Sequence, residues 1–278
     1  MNLSTHNKLT QRLFAKRFMM LCVVGSLSAF AVNVVAAVDA KFDKGLEIAK
    51  ERKLRDSGWQ DSRASLSMLL ENAQGESSDR KIRIDTLEVI NDGDKSLTIF
   101  DEPRDVKGTA FLSFAHTVKP DDQWLFLPAL KRVKRIASRN KSGPFMGSEF
   151  AYEDLSSFEI EKYHFKYLGD EQIDGQSSFL VEQTPTDQYS GYTKQLVWLD
   201  KEHYRPLKME FYDRKNALLK TLLFSDYAQY LTQYWRAHTM TMVNHQTGKS
   251  TTLTTHDITF KVGLTEADFS QSSLKRAR

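Results

Sequence analysis

Residues 62–73 read SRASLSMLLENA and residues 80–90 read RKIRIDTLEVI. In the first stretch Ala64, Leu66, Met68 and Leu70 alternate with Ser65, Ser67 and Leu69; in the second Ile82 and Ile84 alternate with Lys81, Arg83 and Asp85. A period of two places alternate side chains on opposite faces of a strand, so both stretches read as strands with one apolar face. Turn signals then recur along the chain. Asn91-Asp92-Gly93 separates LEVI from KSLTIF, Asp174-Gly175 separates YHFKYLGDEQI from QSSFLVEQT, Arg214 to Asn216 separates PLKMEFY from LLKTLLF, and Gln246 to Lys249 separates WRAHTMTMVNH from STTLTTHDITF. Successive hairpins sharing one apolar face imply a large antiparallel sheet. Such a sheet has to close into a barrel or curl around something, because an open apolar face of that area aggregates.

Upstream the period is different. FDKGLEIAKERKLRD (42–56) places Phe42, Leu46 and Ala49 on one helical face, charges on the other and a stop near Ser57-Gly58. The expected class is therefore mainly β (α+β), with a short helix that needs a surface to pack on.

The first forty residues read as an export signal. Lys8, Arg12, Lys16 and Arg17 precede the apolar run FMMLCVVGSLSAFAVNVVAAV, and small residues follow at Ala36, Ala37 and Ala40. Cleavage after Ala37 or after Ala40 fits; an uncleaved anchor is the competing reading, since the run approaches the roughly 20 residues that span a bilayer. The sole cysteine, Cys22, lies inside the apolar run behind Met-Met-Leu, a poor lipidation context, so the exported domain is expected to be free of thiols, disulfides and cysteine metal ligands. The whole chain holds 39 Lys and Arg against 36 Asp and Glu; the first forty residues carry four of the former and one of the latter, leaving 35 of each. A neutral domain gives no global reason to expect a nucleic-acid partner. Residues 41–278 suit one domain.

The inward positions are long, soft or aromatic. Met68, Leu70, Phe111, Trp124, Phe126, Trp198, Met209, Phe211, Leu222, Phe224, Trp235, Met240 and Met242 can fill a core, and side chains of this kind also make adaptable cavity linings. Chemistry is sparse. The exported part has no G-x-S-x-G elbow, H-E-x-x-H, P-loop or G-x-G-x-x-G, and its histidines form no helical pair or tight ligand cluster. Glu149, Glu153 and Asp154 can serve as an acid and base pair or as a solvated run.

One segment remains. Lys131, Arg132, Lys134, Arg135, Arg139 and Lys141 put six cations within eleven residues, followed by GPFMGSEFAYEDLSSFE. The order QWLFLPALKRVKRI, then Phe145, Met146, Gly147, Ser148, Glu149, Phe150, Tyr152, Asp154 and Leu155, resembles the periplasmic outer-membrane lipoprotein-sorting-like family, relatives of the lipoprotein carrier LolA. DKEHYRPLKMEFYDRKN (200–216) is similar to theirs as well, so the resemblance spans roughly residues 45–270.

The resemblance implies a strongly curved antiparallel sheet forming an incomplete barrel, with helices and loops covering an apolar cavity. It also implies a carrier of lipid or lipoprotein acyl chains, no cofactor, and for the nearer relatives an inner-membrane transporter of the resistance-nodulation-division class as partner. On this reading Met68, Leu70, Trp124, Phe126, Trp198, Met209, Phe211 and Phe224 line the cavity. Arg132 and Arg135 stand at its mouth, where Arg forks can hold phosphate. Gly143-Pro144 and Gly147 bracket Phe145 and Met146 as a greasy lid, Tyr152 lies beside it, and the acids pair with the cations to hold it. No catalytic residue and no metal are needed. Two alternatives stand beside the carrier: an accessory module that binds a transporter or envelope protein without carrying anything, and a hydrolase using Glu149 and Asp154.

Overall fold

The computed structural model describes residues 39–276. The expected export signal lies, but for its last two residues, outside the described residues.

Helix α1 covers residues 39–55. The strands follow: β1 (Asp61–Glu71), β2 (Ser77–Leu87), β3 (Lys95–Glu102), β4 (Ala110–Phe114), β5 (Asp122–Leu127), β6 (Arg132–Ile136), β7 (Tyr163–Ile173), β8 (Gln176–Pro185), β9 (Tyr192–Asp200), β10 (Pro206–Asp213), β11 (Leu218–Tyr230), β12 (Tyr234–Asn244) and β13 (Ser250–Phe260). A short helix, α2 (Gln271–Arg276), comes last. The hairpin turns expected near residues 91–93, 174–175, 214–216 and 246–249 all connect paired strands.

Among the described residues thirteen strands form one sheet in the order β6-β5-β4-β3-β2-β1-β13-β12-β11-β10-β9-β8-β7. Neighbours are consecutive in sequence except where β1 meets β13, in antiparallel register from Ser62 opposite Phe260 to Glu71 opposite Ser250. Strands β6 and β7 are the two edges, so the sheet is open. The chain passes from one edge to the other through residues 137–162.

That passage shows how strongly the sheet curls. Phe145 packs on Phe111 of β4 with ring centroids 5.2 Å apart, and four residues later the Glu149 carbonyl accepts a 2.9 Å hydrogen bond from Lys220 of β11. Six inter-strand steps separate β4 from β11, about 29 Å in a flat sheet, whereas four residues reach at most about 14 Å. The sheet wraps around the crossing segment.

One apolar cluster fills the inside of the curl: Leu66, Met68, Ile82, Phe100, Phe111 and Leu125 from one half, Phe211, Leu222, Met242 and Leu253 from the other, and Phe145 and Phe150 from the crossing segment. Helix α1 covers the inner face near the β7 edge, setting Ile48 and Ala49 against Phe165, Val181, Val197 and Leu199. It approaches closely enough that a Cβ on Gly45 would lie 2.8 Å from the Tyr167 backbone nitrogen. On the outer face, Phe269 and the fully buried Leu274 of α2 cover Leu97, Ile99, Ala110 and Leu112.

Alternation along the strands corrects three of the expected lining residues. Trp124 and Phe126 belong to the outer cluster beneath the C-terminal segment, while the intervening Leu125 faces inward. Trp198 is also on the outer face, opposite in register to the inward Val197, where its Nε1 donates to Glu171 at 2.7 Å and Lys208 lies over its ring. Trp235 packs on Arg205 and His203 and stands outside the inner cluster. A shift of one residue in assumed register exchanges the two faces of a strand, and aromatic size alone does not reveal which face is inside.

Candidate binding site

The crossing segment enters the curl as a tight turn. Pro144 bridges Ala151, and the Phe145 N–H donates to the Phe150 carbonyl at 2.7 Å. Met146 (φ 51°) and Gly147 (φ 79°) both take the left-handed conformation that reverses the chain. Phe145 is consequently driven into the interior with 1% of its surface exposed. Its ring meets Phe100, Phe111 and Tyr152 at 5.8, 5.2 and 5.6 Å. Met146, Tyr152 and Leu155 pack partly buried against the same cluster, as do Leu70, Met209, Phe224 and Met240 from the sheet. The segment is an internal plug.

Polar contacts fasten the plug to strands on both sides. Arg80 of β2 donates to the Met146 carbonyl at 2.6 Å, and Gln123 of β5 to the Tyr152 carbonyl at 3.0 Å. The Glu149 N–H donates to Thr251 Oγ1 at 3.0 Å, and Asn244 Nδ2 to the Glu149 carboxylate at 2.7 Å. Glu153 accepts from Ser190 Oγ and the Gly191 N–H, each at 2.8 Å. Asp154 accepts from Lys220 Nζ at 2.7 Å, Tyr192 Oη at 2.9 Å and the Ala151 N–H at 2.6 Å. The two charged side chains of the Lys220–Asp154 pair are only 4% and 5% exposed. Burial, and secondarily the neighbouring Asp154 charge, hold the Glu153 carboxyl above the usual carboxylate range; burial lowers the Arg80 guanidinium.

As alternation along a strand predicts, Arg132 and Arg135 lie on opposite faces of edge strand β6. Arg132 shares the inward parity of Ile136 on edge strand β6, whereas Arg135 shares that of Val133, which packs with the outer cluster. Arg135 is ion-paired with Asp122. The expected electrostatics need correcting for the acids of the segment, which do not pair with the cations before it: Glu149, Glu153 and Asp154 bond to residues of β9, β11 and β12 and the loop before β9, and Lys141 pairs with Asp187. Glu149 and Asp154 are carried across the sheet to β12 and β11, whereas Glu153 stays beside Lys141, its N–H donating to the Lys141 carbonyl at 2.9 Å, while the Lys141 ammonium goes to Asp187. Glu149 and Asp154, the carboxylates of the hydrolase reading, are both engaged in holding the plug.

Lys220 and Arg80 are the charged site residues missed in the sequence, beside the neutral partners Gln123, Ser190, Tyr192, Asn244 and Thr251. Both cations had a signal. Lys220, Leu222 and Phe224 alternate in LLKTLLF, and Arg80, Ile82 and Ile84 alternate in RKIRI, so each cation sits in register with an apolar row.

Two clefts open on the surface, the first of them beside the plug. One, of about 680 Å³, follows the seam between plug and sheet and is lined by Gly147, Ser148, Glu149, Tyr192, Arg214, Lys215, Lys220 and Lys249 among others. The other, of about 850 Å³, lies between the end of α1 and the β2–β3 and β4–β5 turns. It contains Asp94, whose carboxyl is raised from 3.8 to about 6, first by burial. Among the described residues no group of three or more metal-ligating side chains converges.

An open sheet curled around an apolar plug defines a class of incomplete β-barrels. A family model described as "uncharacterized protein" matches residues 92–276. A solved outer membrane lipoprotein-sorting protein domain from Vibrio parahaemolyticus, assigned as such in its description, is 69% identical, with a TM-score of 0.83 over 84% of this chain and 100% of that one. A DUF1329 family protein from Desulfovibrio piger is 28% identical, with a TM-score of 0.80 over 84% and 99% of the two chains. A LolA superfamily protein from Nitrosomonas europaea, 21% identical with a TM-score of 0.66 over 82% and 98%, shares the fold. No curated protein sequence matches. The chain belongs to the outer-membrane lipoprotein-sorting-like family, with the LolA fold.

Proposed function

We propose that this protein is a periplasmic carrier that binds a lipid or lipoprotein acyl chain on the inner face of its sheet. It is exported by a signal within residues 1–40, folds as one domain over 41–278 and acts as a monomer. It takes cargo from an inner-membrane transporter of the resistance-nodulation-division class and delivers it toward the outer membrane. The lipoprotein-sorting description of the 69%-identical relative supports this reading.

The observation that carries the proposal is the plug. Phe145, Met146, Phe150, Tyr152 and Leu155 occupy the volume an acyl chain would take, against a wall rich in Met and Phe. They belong to one connecting segment fastened by replaceable polar contacts. Burying a methylene contributes about 0.8 kcal/mol, so a long chain supplies enough to displace a few side chains and leaves release as the difficult step. The carrier needs no catalytic group or cofactor.

Native mass spectrometry of protein recovered from the periplasm without detergent tests this reading. A stoichiometric lipid or acylated peptide is expected. A clean protein mass, with no lipid gained on exposure to membrane vesicles, overturns it. The burial of Phe145, 1% exposed, at the centre of the inner cluster favours the second reading of a non-transporting accessory module; that reading expects a stable protein complex and a core that stays lipid-free.

A further inference from the structure

We infer that the cargo carries an anionic headgroup, and that this headgroup replaces Asp154 on Lys220. The inference rests on the carrier reading. Lys220 projects inward from β11 in line with Leu222 and Phe224 and is 4% exposed. Its ammonium lies 5.2 Å from the ring centroids of both Tyr192 and Phe211. Its anionic partner, Asp154, belongs to the plug, as does its second acceptor, the Glu149 carbonyl. When the plug leaves the inner face, Lys220 loses both.

A buried cation without an anion is far more destabilising than an exposed one. A neutral cargo would displace the plug and leave that destabilisation standing. An anionic cargo exchanges one negative group for another.

The seam cleft is built for such an exchange. It reaches Lys220, and its lining holds Arg214, Lys215 and Lys249 besides, against the carboxylates of Glu149 and Asp213. Both carboxylates already have donors, Asn244 for Glu149 and Gln246 with two backbone N–H groups for Asp213. The cleft thus offers an entering anion a cationic route to the seam where the plug meets the sheet. Phosphate and carboxylate headgroups share the chemistry required.

The experiment compares three probes with one oleoyl chain: monooleoylglycerol, oleoylglycerol phosphate and oleate, each bound below its aggregation concentration to protein recovered from the periplasm and stripped of lipid. Both anionic probes, or the phosphate alone, are expected to bind about tenfold or more tightly than the neutral one, the scale of a charge-assisted hydrogen bond. Preference for the phosphate identifies a phospholipid-like cargo; equal preference identifies any anionic amphiphile. Lys220→Met is expected to erase the preference. Asp154→Asn, which keeps the acceptor shape and removes the competing charge, is expected to increase it, and provides the test if Lys220→Met does not fold. Equal binding of all three probes overturns the headgroup assignment while leaving the carrier intact. Binding of none overturns both.

Discussion

Lys220 and Asp154 form a buried ion pair that ties the plug to β11. Removing one partner leaves a buried charge, so Asp154→Ala is expected to destabilise the fold by about 3–5 kcal/mol, whereas Lys220→Met with Asp154→Leu together costs much less. A denaturant-unfolding double-mutant cycle checks this, and additive losses sink the coupling. Asp94 makes a pH prediction. Its folded pKa is raised from 3.8 to about 6, so its contribution to stability is greatest in acid and is lost as pH rises through that window. Asp94→Asn keeps an acceptor for the Val89 N–H and removes the titration. Its melting temperature relative to the native protein should rise between pH 4 and pH 7, and a flat difference refutes the assignment. The site was only partly legible at this scale. Phe145, Met146 and Gly147 announce a turn by their flanking glycines, but the partner of Asp154 lies 66 residues away and no local spacing connects them.

Among the elements, hairpins and α1 were legible because period and turn chemistry are local properties. The faces of β5 and β9 were not. In WLF and VWL apolar residues occupy both faces, since α2 covers the outside of β5 while Glu171 and Lys208 shield Trp198 on the outside of β9. The plug and α2 therefore give separable tests. Phe145→Ala empties a site among Phe100, Phe111 and Tyr152 and is expected to cost about 3–5 kcal/mol. If the plug is instead only a loosely seated lid, hydrogen exchange will show opening of residues 143–155 with little change in global unfolding. Leu274→Ala, which opens a cavity on the outer face, should cost about 2–5 kcal/mol without altering lipid uptake. Loss of uptake from that variant would show that the two faces are not independent.

At the scale of the molecule, an open sheet has two edges to protect. Strand β6 is five residues long and carries exposed Arg132, Lys134 and Arg135; β7 is broken by a register shift between Tyr167 and Gly169. Charges and bulges of this kind discourage edge-to-edge pairing. Arg132→Val with Lys134→Thr is expected to shift the protein toward dimers or aggregates in size-exclusion chromatography, and an unchanged monomer would mean the edges are guarded elsewhere. The start of the cationic run thus has a role in edge protection.

The seam between β1 and β13 has a consequence for the order in which the molecule can assemble. Each half of the sheet is a meander that can pair strand by strand as it is synthesised, but β1 receives its second neighbour only when residues 250–260 are available. A chain emerging amino terminus first therefore keeps one edge of β1 unpaired until almost everything else has appeared. Final closure belongs to the finished polypeptide, and the wall around the plug becomes continuous only then.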